Sequence, residues 1–346
     1  MQFNKLMAVQ AFARLCGVCG ITDTYFRKQD DSVSIFLFHR ICDDESMGVT
    51  LPVFKGVMEY IRNSYTVIGI DEAYEYLIDK KLCKNQKRYA IITFDDGYLD
   101  NYTQALPVLR EYKLPATLFA CTGFIDSGYS NWEQLDAALL RRKESILDLS
   151  CFCLGCHSFT TDVERRATVT QVHKLLKVMP QKDMDSLMAR IIEDSPAGSA
   201  RGRSMMNWDE LRDFAGTPGM TIGAHTVTHP NLVRISESAL REELNVSKKV
   251  LEDRLDVPIR HFAYPSGIAS ASVERAVREA GFVSASLVED GINRKGCDLF
   301  KLLRRSVIQD CCIGSDGNYS DEVFSMFASG FRQVVGTMWR NLWSRP

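Results

Sequence analysis

The stretch IITFDDGYLD, residues 91–100, carries two adjacent aspartates directly behind a run of apolar β-forming residues. Such a run is typical of a strand in a parallel sheet that is covered on both faces. Barrels of parallel strands build their active sites at the carboxyl ends of those strands, so we expect Asp95 and Asp96 at such a site. An Asp just before Gly97 is also a common turn or helix-cap signal, and alone it favours neither interpretation.

Further apolar runs recur along the chain, and helix-like segments separate most of them, for example at 98–112, 236–255 and 272–280. The runs lie at 33–39, 89–94, 116–122, 220–225, 261–265, 283–288 and 304–308. Strands that alternate with helices predict parallel pairing through right-handed crossovers. We therefore expect an α/β fold with about seven or eight strands, enough to close a barrel.

Three parts are expected along the chain: an N-terminal helix (1–30), a main domain (31–310) and a C-terminal amphipathic helix (311–346). Residues 143–206 interrupt the main domain with charged helical segments and the Gly/Ser/Arg stretch PAGSARGRS, and we interpret them as a helical insertion. Within it, CFCLGCH at 151–157 is too tightly spaced for one tetrahedral zinc finger, which favours free thiols.

The composition excludes several classes of protein. With 42 basic and 44 acidic residues and a net charge of -2, the chain has no basic surface for nucleic acid. Its eleven scattered cysteines favour a reducing compartment. The apolar N-terminus is broken by Gln10 and Arg14, so we interpret it as a helix rather than a signal peptide. We expect a cytoplasmic protein, or one peripheral at the cytoplasmic membrane face.

The stretch HTVTH, residues 225–229, also follows an apolar run and contains two of only six histidines. A spacing of four would put both imidazoles on one side of a helical turn, within reach of one ion. Imidazole together with carboxylate suits a borderline cation such as zinc. Because adjacent residues point apart, one aspartate of the pair could bind the metal while the other takes a proton from the attacking water.

Three motifs, TFDDG (93–97), HTVTH (225–229) and FAYPSG (262–267), together resemble the first three motifs of the polysaccharide deacetylases. These are the NodB-homology proteins of carbohydrate esterase family 4, and the resemblance covers roughly residues 31–310. It implies a distorted (β/α)7-type barrel and metal-dependent hydrolysis of N-acetyl or O-acetyl groups on a glycan. An N-acetylglucosamine-containing glycan is the favoured substrate.

The resemblance also implies roles for individual residues. Asp95 would be the general base, while Asp96, His225 and His229 would hold a divalent metal, with zinc favoured. The backbone N–H of Ser266, after the proline of the third motif, would help the metal to bind the oxyanion. A plain Pro-Ser-Gly turn is the alternative interpretation of that last motif.

The chain departs from the family pattern at the arginine that orients the base, because the aligned position is Ala263. Arg304 or Arg305, at the start of a late strand, would supply the guanidinium instead, and we favour Arg305. A surface arginine at a strand end is the alternative.

A second departure concerns the late Leu-x-His motif, whose histidine would be the general acid, because no histidine follows His261. Leu37-Phe38-His39 has the same pattern on the first strand. A closed barrel makes the first and last strands neighbours, so a circularly permuted motif order would place His39 at the same mouth. We predict that His39 protonates the leaving group; a core histidine is the alternative.

The early His motif and FAYP resemble the exopolysaccharide-associated branch of the family. Two alternatives stay open: an allantoinase-like hydrolase of small-molecule C–N bonds, and a catalytically silent glycan-binding protein. In the tail, apolar residues from Phe324 to Leu342 recur at helical spacing with arginines among them. This predicts either a helix docked on the barrel or one that touches a membrane surface.

Overall fold

The computed structural model describes residues 2–331 except 28, 44–47, 80–86, 131–133, 136–137, 140–145, 153–154, 159, 177–178, 180 and 194–201. Its strands are β1 (Ser32–Phe38), β2 (Arg40–Ile41), β3 (Gly48–Val49), β4 (Thr66–Val67), β5 (Arg88–Asp96), β6 (Ala116–Ala120), β7 (Ile146–Asp148), β8 (Cys156–Ser158), β9 (Met220–Ala224), β10 (His261–Ala263), β11 (Ser284–Ser286), β12 (Asn293–Arg294) and β13 (Arg305–Ser306). Its α-helices are α1 (Gln2–Val18), α2 (Ile21–Arg27), α3 (Leu51–Ser64), α4 (Ile70–Ile78), α5 (Leu106–Tyr112), α6 (Thr122–Ser127), α7 (Asp162–Leu176), α8 (Gln181–Glu193), α9 (Trp208–Gly216), α10 (Glu237–Leu255), α11 (Ala271–Glu279) and α12 (Asp321–Ala328).

The main sheet is a curled layer of parallel strands in the order β11-β10-β9-β6-β5-β1. β13 lies parallel to β1, β12 lies antiparallel to it, and β4 pairs with β5. Most connections between the parallel strands contain a helix, as right-handed crossovers require. The α/β class predicted from the alternating pattern is confirmed.

The segment 302–306 bridges the two ends of the curled sheet. Leu302 pairs with Ser286 of β11, and three residues later Arg305 pairs with Phe36 of β1. The first and last strands are therefore neighbours, as a permuted motif order requires. Arg304 lies between the two pairings.

The two faces of β5 pack against different layers. Ile92 and Phe94 face the helices, and the Phe94 ring lies 6.1 Å from that of Phe54 on α3. Ile91 faces the barrel interior together with residues from the neighbouring strands. Because side chains alternate along a strand, Asp95 continues the inward series of Ile91. The alternation thus brings the first aspartate of the pair into the barrel.

The insertion between β6 and β9 has a hydrophobic cluster of its own. This cluster starts before the predicted boundary at residue 143 and includes Leu135, Leu139, Leu147, Leu149, Val172, Leu176, Leu187 and Ile191. In the predicted thiol stretch, Cys156 is an exposed free thiol, and Cys153 lies outside the described residues. The insertion thus has a small hydrophobic core of its own.

The two ends of the chain pack together, with Ala13 and Cys16 of α1 against Val323 and Met326 of α12. The tail aromatics Phe324, Phe327 and Phe331 are buried, which favours the docked interpretation for this stretch. Residues 332–346 of the predicted tail helix lie outside the described residues. None of the described helices combines the length and the hydropathy needed to cross a membrane. The cytoplasmic or membrane-peripheral location stays a prediction.

Candidate active site

Asp95 lies at the carboxyl end of β5 and is fully buried. Arg304 grips it with two parallel hydrogen bonds, from Nη1 to Oδ1 at 2.7 Å and from Nη2 to Oδ2 at 2.8 Å. Burial works to raise the pKa of the Asp95 carboxyl, but Arg304 and then His225 outweigh it and lower the pKa to about 2. Asp95 is therefore a buried carboxylate that is ionised at neutral pH.

The preference for Arg305 as the partner of the base is wrong. Arg305 donates from Nε to Asp290 at 2.6 Å and from Nη1 to the carbonyl of Ala328 at 2.7 Å. Consecutive residues of an extended chain point to opposite faces, so only one of the two arginines can enter the barrel. Arg304 enters, and its Nε donates to the carbonyl of Leu287 at 2.9 Å, which fixes the guanidinium plane.

Asp96 adopts a left-handed backbone conformation, with φ of 75°, and Gly97 follows with φ of 95°. This turn brings Asp96 Oδ1 to 3.5 Å from Nε2 of His225, while Asp95 Oδ2 lies 3.9 Å from the same nitrogen. The two carboxylates do not simply point apart, as alternation predicts, but both face His225. The φ of 95° at Gly97 is a conformation that L side chains rarely adopt, so the turn favours a glycine there.

The histidine motif forms a loop after β9 rather than the predicted helical turn. Two residues of the loop, Thr226 and His229, have left-handed backbones with φ of 69° and 59°. The loop nevertheless brings the rings of His225 and His229 to 4.9 Å between centroids. The expected convergence of the imidazoles is thus reached through a different backbone path.

The tautomer of His225 is set by its Nδ1, which lies 2.8 Å from the carbonyl oxygen of Ala263. Because a carbonyl only accepts, Nδ1 carries the hydrogen and Nε2 presents its lone pair to Asp96. Burial lowers the pKa of His225 to about 3 and also lowers the pKa of His229. Both imidazoles are therefore neutral at physiological pH.

These groups fit a divalent cation. One oxygen of Asp96 and one nitrogen each of His225 and His229 lie within 4.8 Å of one another. Asp96 Oδ1 is 3.5 and 3.7 Å from the two Nε2 atoms, beyond good hydrogen-bond length. Ligands that sit about 2.0–2.2 Å from a tetrahedral zinc ion lie about 3.4 Å apart. Neutral imidazole and carboxylate are also ligands that zinc accepts.

Ser266 lies beyond the carboxyl end of β10, in a 3-10 turn that spans Pro265–Gly267. Its backbone is left-handed, with φ of 57° and ψ of 10°, and its residue surface is exposed. The turn is closed by the amide of Gly267, which donates to the carbonyl of Tyr264 at 2.8 Å. Since β10 pairs with β9, the third motif is next to the strand that leads to His225.

Comparison with known sequences gives a match to the description "Polysaccharide deacetylase" over residues 83–285. This range is more than half of the chain and holds the Asp95–Asp96 pair and both histidines of the candidate metal cluster. The chain belongs to the polysaccharide deacetylase family.

Two relatives show the extent of sequence similarity. YxkH of Bacillus subtilis is 37% identical over 86 residues, which are 25% of this chain and 30% of YxkH. Poly-beta-1,6-N-acetyl-D-glucosamine N-deacetylase of Staphylococcus aureus is 34% identical over 120 residues, 35% of this chain and 37% of that enzyme. The matched part thus spans about a third of the length of these curated relatives.

Solved structures of deacetylases share the fold over most of the chain. The deacetylase PplD of Streptococcus pyogenes, in complex with acetate, superposes with a TM-score of 0.55 at 18% identity and covers 83% of this chain and 96% of PplD. IcaB of Ammonifex degensii superposes with a TM-score of 0.57 at 18% identity and covers 87% of this chain and 98% of IcaB. These similarities establish the barrel-type fold predicted from the motifs.

His39 directly follows β1 and is half-buried. In our prediction it replaces the late histidine of the deacetylase pattern. Because β1 runs parallel to β5 with Phe38 opposite Phe94, His39 lies at the same carboxyl edge of the sheet as Asp95. The carbonyl of His39 accepts a hydrogen bond from Asn101 Nδ2 at 2.8 Å, and Asp100 Oδ1 accepts one from the amide of Ile41 at 3.0 Å. The turn after β5 therefore holds the loop that carries His39.

Proposed function

We propose that this deacetylase-family chain is a metal-dependent hydrolase that removes acetyl groups from an N-acetylglucosamine-containing glycan. One observation carries the proposal: the ionised carboxylate of Asp95, clamped by Arg304, lies 3.9 Å from a histidine of the candidate metal cluster. A base and a Lewis-acid site side by side at the mouth of a barrel suit hydrolysis of an acyl bond. The amide-linked acetyl group named for the Staphylococcus aureus relative supports the choice of sugar.

Asp96, His225 and His229 would hold the cation, and zinc suits this donor set. When bound, zinc supplies Lewis-acid chemistry: it polarises a carbonyl and lowers the pKa of water from ~15.7 towards neutrality. The hydrogen bond from Nδ1 of His225 to the carbonyl of Ala263 keeps Nε2 deprotonated and aimed at the same point as Asp96. The protein thus presents its ligands in the correct protonation state.

Asp95 would act as the general base that takes a proton from the attacking water. Its low pKa keeps it ionised throughout the physiological range. Both of its oxygens are engaged by Arg304, so the orientation of the carboxylate is set before substrate binds. Arg304 is therefore a positioning residue that acts through Asp95.

The remaining two roles concern the oxyanion and the leaving group. The backbone N–H of Ser266 would donate to the oxygen that gains charge when the acetyl carbonyl is attacked. His39 would protonate the departing amine, so that acetate and a free amino group on the sugar are the products. This assignment uses the first strand in place of the late motif of the family.

The substrate class can be tested by measuring acetate release from three acetylated carbohydrates: β-1,6-linked N-acetylglucosamine oligomers, chitooligosaccharides and acetylated xylan. The proposal predicts release from at least one of the two amino-sugar substrates and little from xylan, whose acetyl groups are esters. Release from xylan alone would show an esterase. Zinc binding without acetate release from any of the three would favour a silent glycan-binding protein.

A further inference from the structure

Glu243, on helix α10, binds the histidine loop (residues 225–229) and is not itself part of the candidate metal cluster. Its Oε2 accepts hydrogen bonds from the amides of Val227 and Thr228 at 2.7 and 3.0 Å. Its Oε1 accepts one from the Thr228 hydroxyl at 2.6 Å. One carboxylate therefore binds two successive amides and a side chain of the segment that separates His225 from His229.

The opposite side of the loop is held by the start of helix α6. The amide of Thr122 donates to the carbonyl of Thr226 at 3.2 Å, and the amide of Gly123 donates to the carbonyl of Val227 at 2.8 Å. A Cβ at Gly123 would lie 2.5 Å from the Val227 oxygen, so the approach of the two segments depends on a glycine there. The loop is thus clamped between α6 and Glu243.

The loop needs such support because two of its non-glycine residues, Thr226 and His229, have positive φ. That conformation is disfavoured for L-residues and persists only when surrounding contacts impose it. The amide of His229 donates a hydrogen bond to Thr226 Oγ1 at 3.0 Å. This bond closes the turn within the loop but does not link the loop to another element. Among the described residues, the charged group that contacts the central amides is Glu243.

We propose that Glu243 is a positioning residue for the metal site: its carboxylate holds the histidine loop in the conformation that aims both imidazoles at Asp96. The inference rests on the proposed metal-dependent function of that site. Hydrogen bonds from amides to a carboxylate are charge-assisted and stronger than neutral ones. The loss of groups that orient metal ligands typically weakens metal binding about 10- to 100-fold.

The experiment compares zinc affinity in four forms of the full chain: wild type, Glu243→Ala, Glu243→Gln and Glu242→Ala. Glu242 is an exposed neighbour on the same helix and serves as the matched control. Zinc dissociation constants are measured by competition with a chromophoric chelator, and the melting temperature of each metal-free form is recorded. Glutamine keeps the shape of the side chain: its oxygen can accept from both amides, and its NH₂ can donate to the Thr228 hydroxyl.

We expect Glu243→Ala to weaken zinc binding about tenfold or more, Glu243→Gln to fall between it and wild type, and Glu242→Ala to match wild type. Unchanged zinc affinity in a folded Glu243→Ala protein would overturn the positioning role and leave the metal site intact. A Glu243→Ala protein that melts at a lower temperature but binds zinc normally would overturn that role too, because Glu243 would then serve stability alone. Failure of wild type to bind zinc would overturn the metal site, and this proposal with it.

Discussion

Two clusters of Asp, His and Arg, each built around a buried histidine, lie at opposite ends of the barrel. The mouth cluster, at the carboxyl ends of the strands, contains Asp95, His225 and Arg304, with Asp96 and His229 beside it. The amino-end cluster contains Asp71, Arg260 and His261, where His261 is the first residue of β10. The side chains of His225 and His261 are only 2% and 1% exposed, so residue type and burial do not distinguish them.

Hydrogen bonding does distinguish the two histidines. His261 has a polar partner at both ring nitrogens, Ser284 Oγ at 2.8 Å and Asp71 Oδ1 at 3.1 Å, and Asp71 is also paired with Arg260. Among the residues that the structure describes, His225 has a hydrogen-bond partner only at Nδ1, and its Nε2 faces carboxylate oxygens at 3.5 and 3.9 Å. A saturated histidine holds the fold together, whereas one with a lone pair aimed at a carboxylate is arranged for a cation.

The largest contrast is expected in catalysis. Asp95→Asn removes the proposed base and should lower kcat on the acetylated glycan on the order of 10²- to 10⁴-fold. His261→Gln should leave kcat of the folded, zinc-loaded protein within about threefold of wild type, while it lowers the free energy of unfolding by about 1–3 kcal/mol. A His261→Gln protein that is folded but as inactive as Asp95→Asn would break the distinction between the clusters.

Metal binding should follow the same division. His229→Gln removes a proposed metal ligand. Loss of a group that only orients a ligand weakens metal binding by up to about 100-fold, so zinc affinity should fall by more than that in His229→Gln. His261→Gln should bind one zinc with wild-type affinity. The measurement is equilibrium dialysis followed by metal analysis, and equal loss in both variants would mean that the amino-end cluster also supports the site.

The Arg304–Asp95 pair can be tested through stability. Both side chains are almost fully buried, at 0% and 2% exposure, so Arg304→Met should leave an unpaired buried charge and lower the free energy of unfolding by about 3–5 kcal/mol. The double variant Arg304→Met/Asp95→Asn should recover much of that loss in urea unfolding. Arg305→Met is the control: its partner Asp290 is 22% exposed, and catalysis in the folded protein should survive.

The smallest effect concerns pH and the amino-end cluster. The hydrogen bond from His261, then its charge and Arg260, lowers the pKa of Asp71 against the opposing effect of burial. The resulting stabilisation is present above the unfolded-state pKa of about 3.9 and is lost as the pH falls through the lower folded-state pKa. In Asp71→Asn, the free energy of unfolding should therefore fall less steeply below about pH 4. Because Asp71 is 47% exposed, solvent screens the effect.

Local patterns predicted much of the site. The apolar run before Asp95 indicated a buried parallel strand, and the acid pair and the spaced histidines indicated residues that the structure brings together. Their role as metal ligands stays a prediction. The position of these residues could be predicted because strand direction puts the carboxyl ends of parallel strands at one mouth, without knowledge of distant contacts. Alternation did not predict that Asp96 also faces His225. His39 was placed at the mouth by the neighbourhood of first and last strands, and its role as acid stays a prediction.

Other features depended on tertiary structure. Arg304 rather than Arg305 binds Asp95 because Arg304 is the residue of the segment 302–306 that faces the barrel interior. Which residue faces inward is set by the pairing of this segment with both β11 and β1. The left-handed conformation of Asp96 and the non-helical path of the histidine loop are imposed by neighbouring segments, against local preference. In the sequence, Glu243 is one of several acidic residues on the predicted solvent-exposed face of a helix. Only the structure shows that it binds the histidine loop.

The most direct test of the central claim is acetate release from N-acetylglucosamine oligomers by metal-stripped protein with and without added zinc, in wild type, Asp95→Asn and His261→Gln. We predict acetate release that requires zinc, that is abolished in Asp95→Asn and that persists in folded His261→Gln. Release that is indifferent to zinc, or that survives in Asp95→Asn, would contradict this prediction.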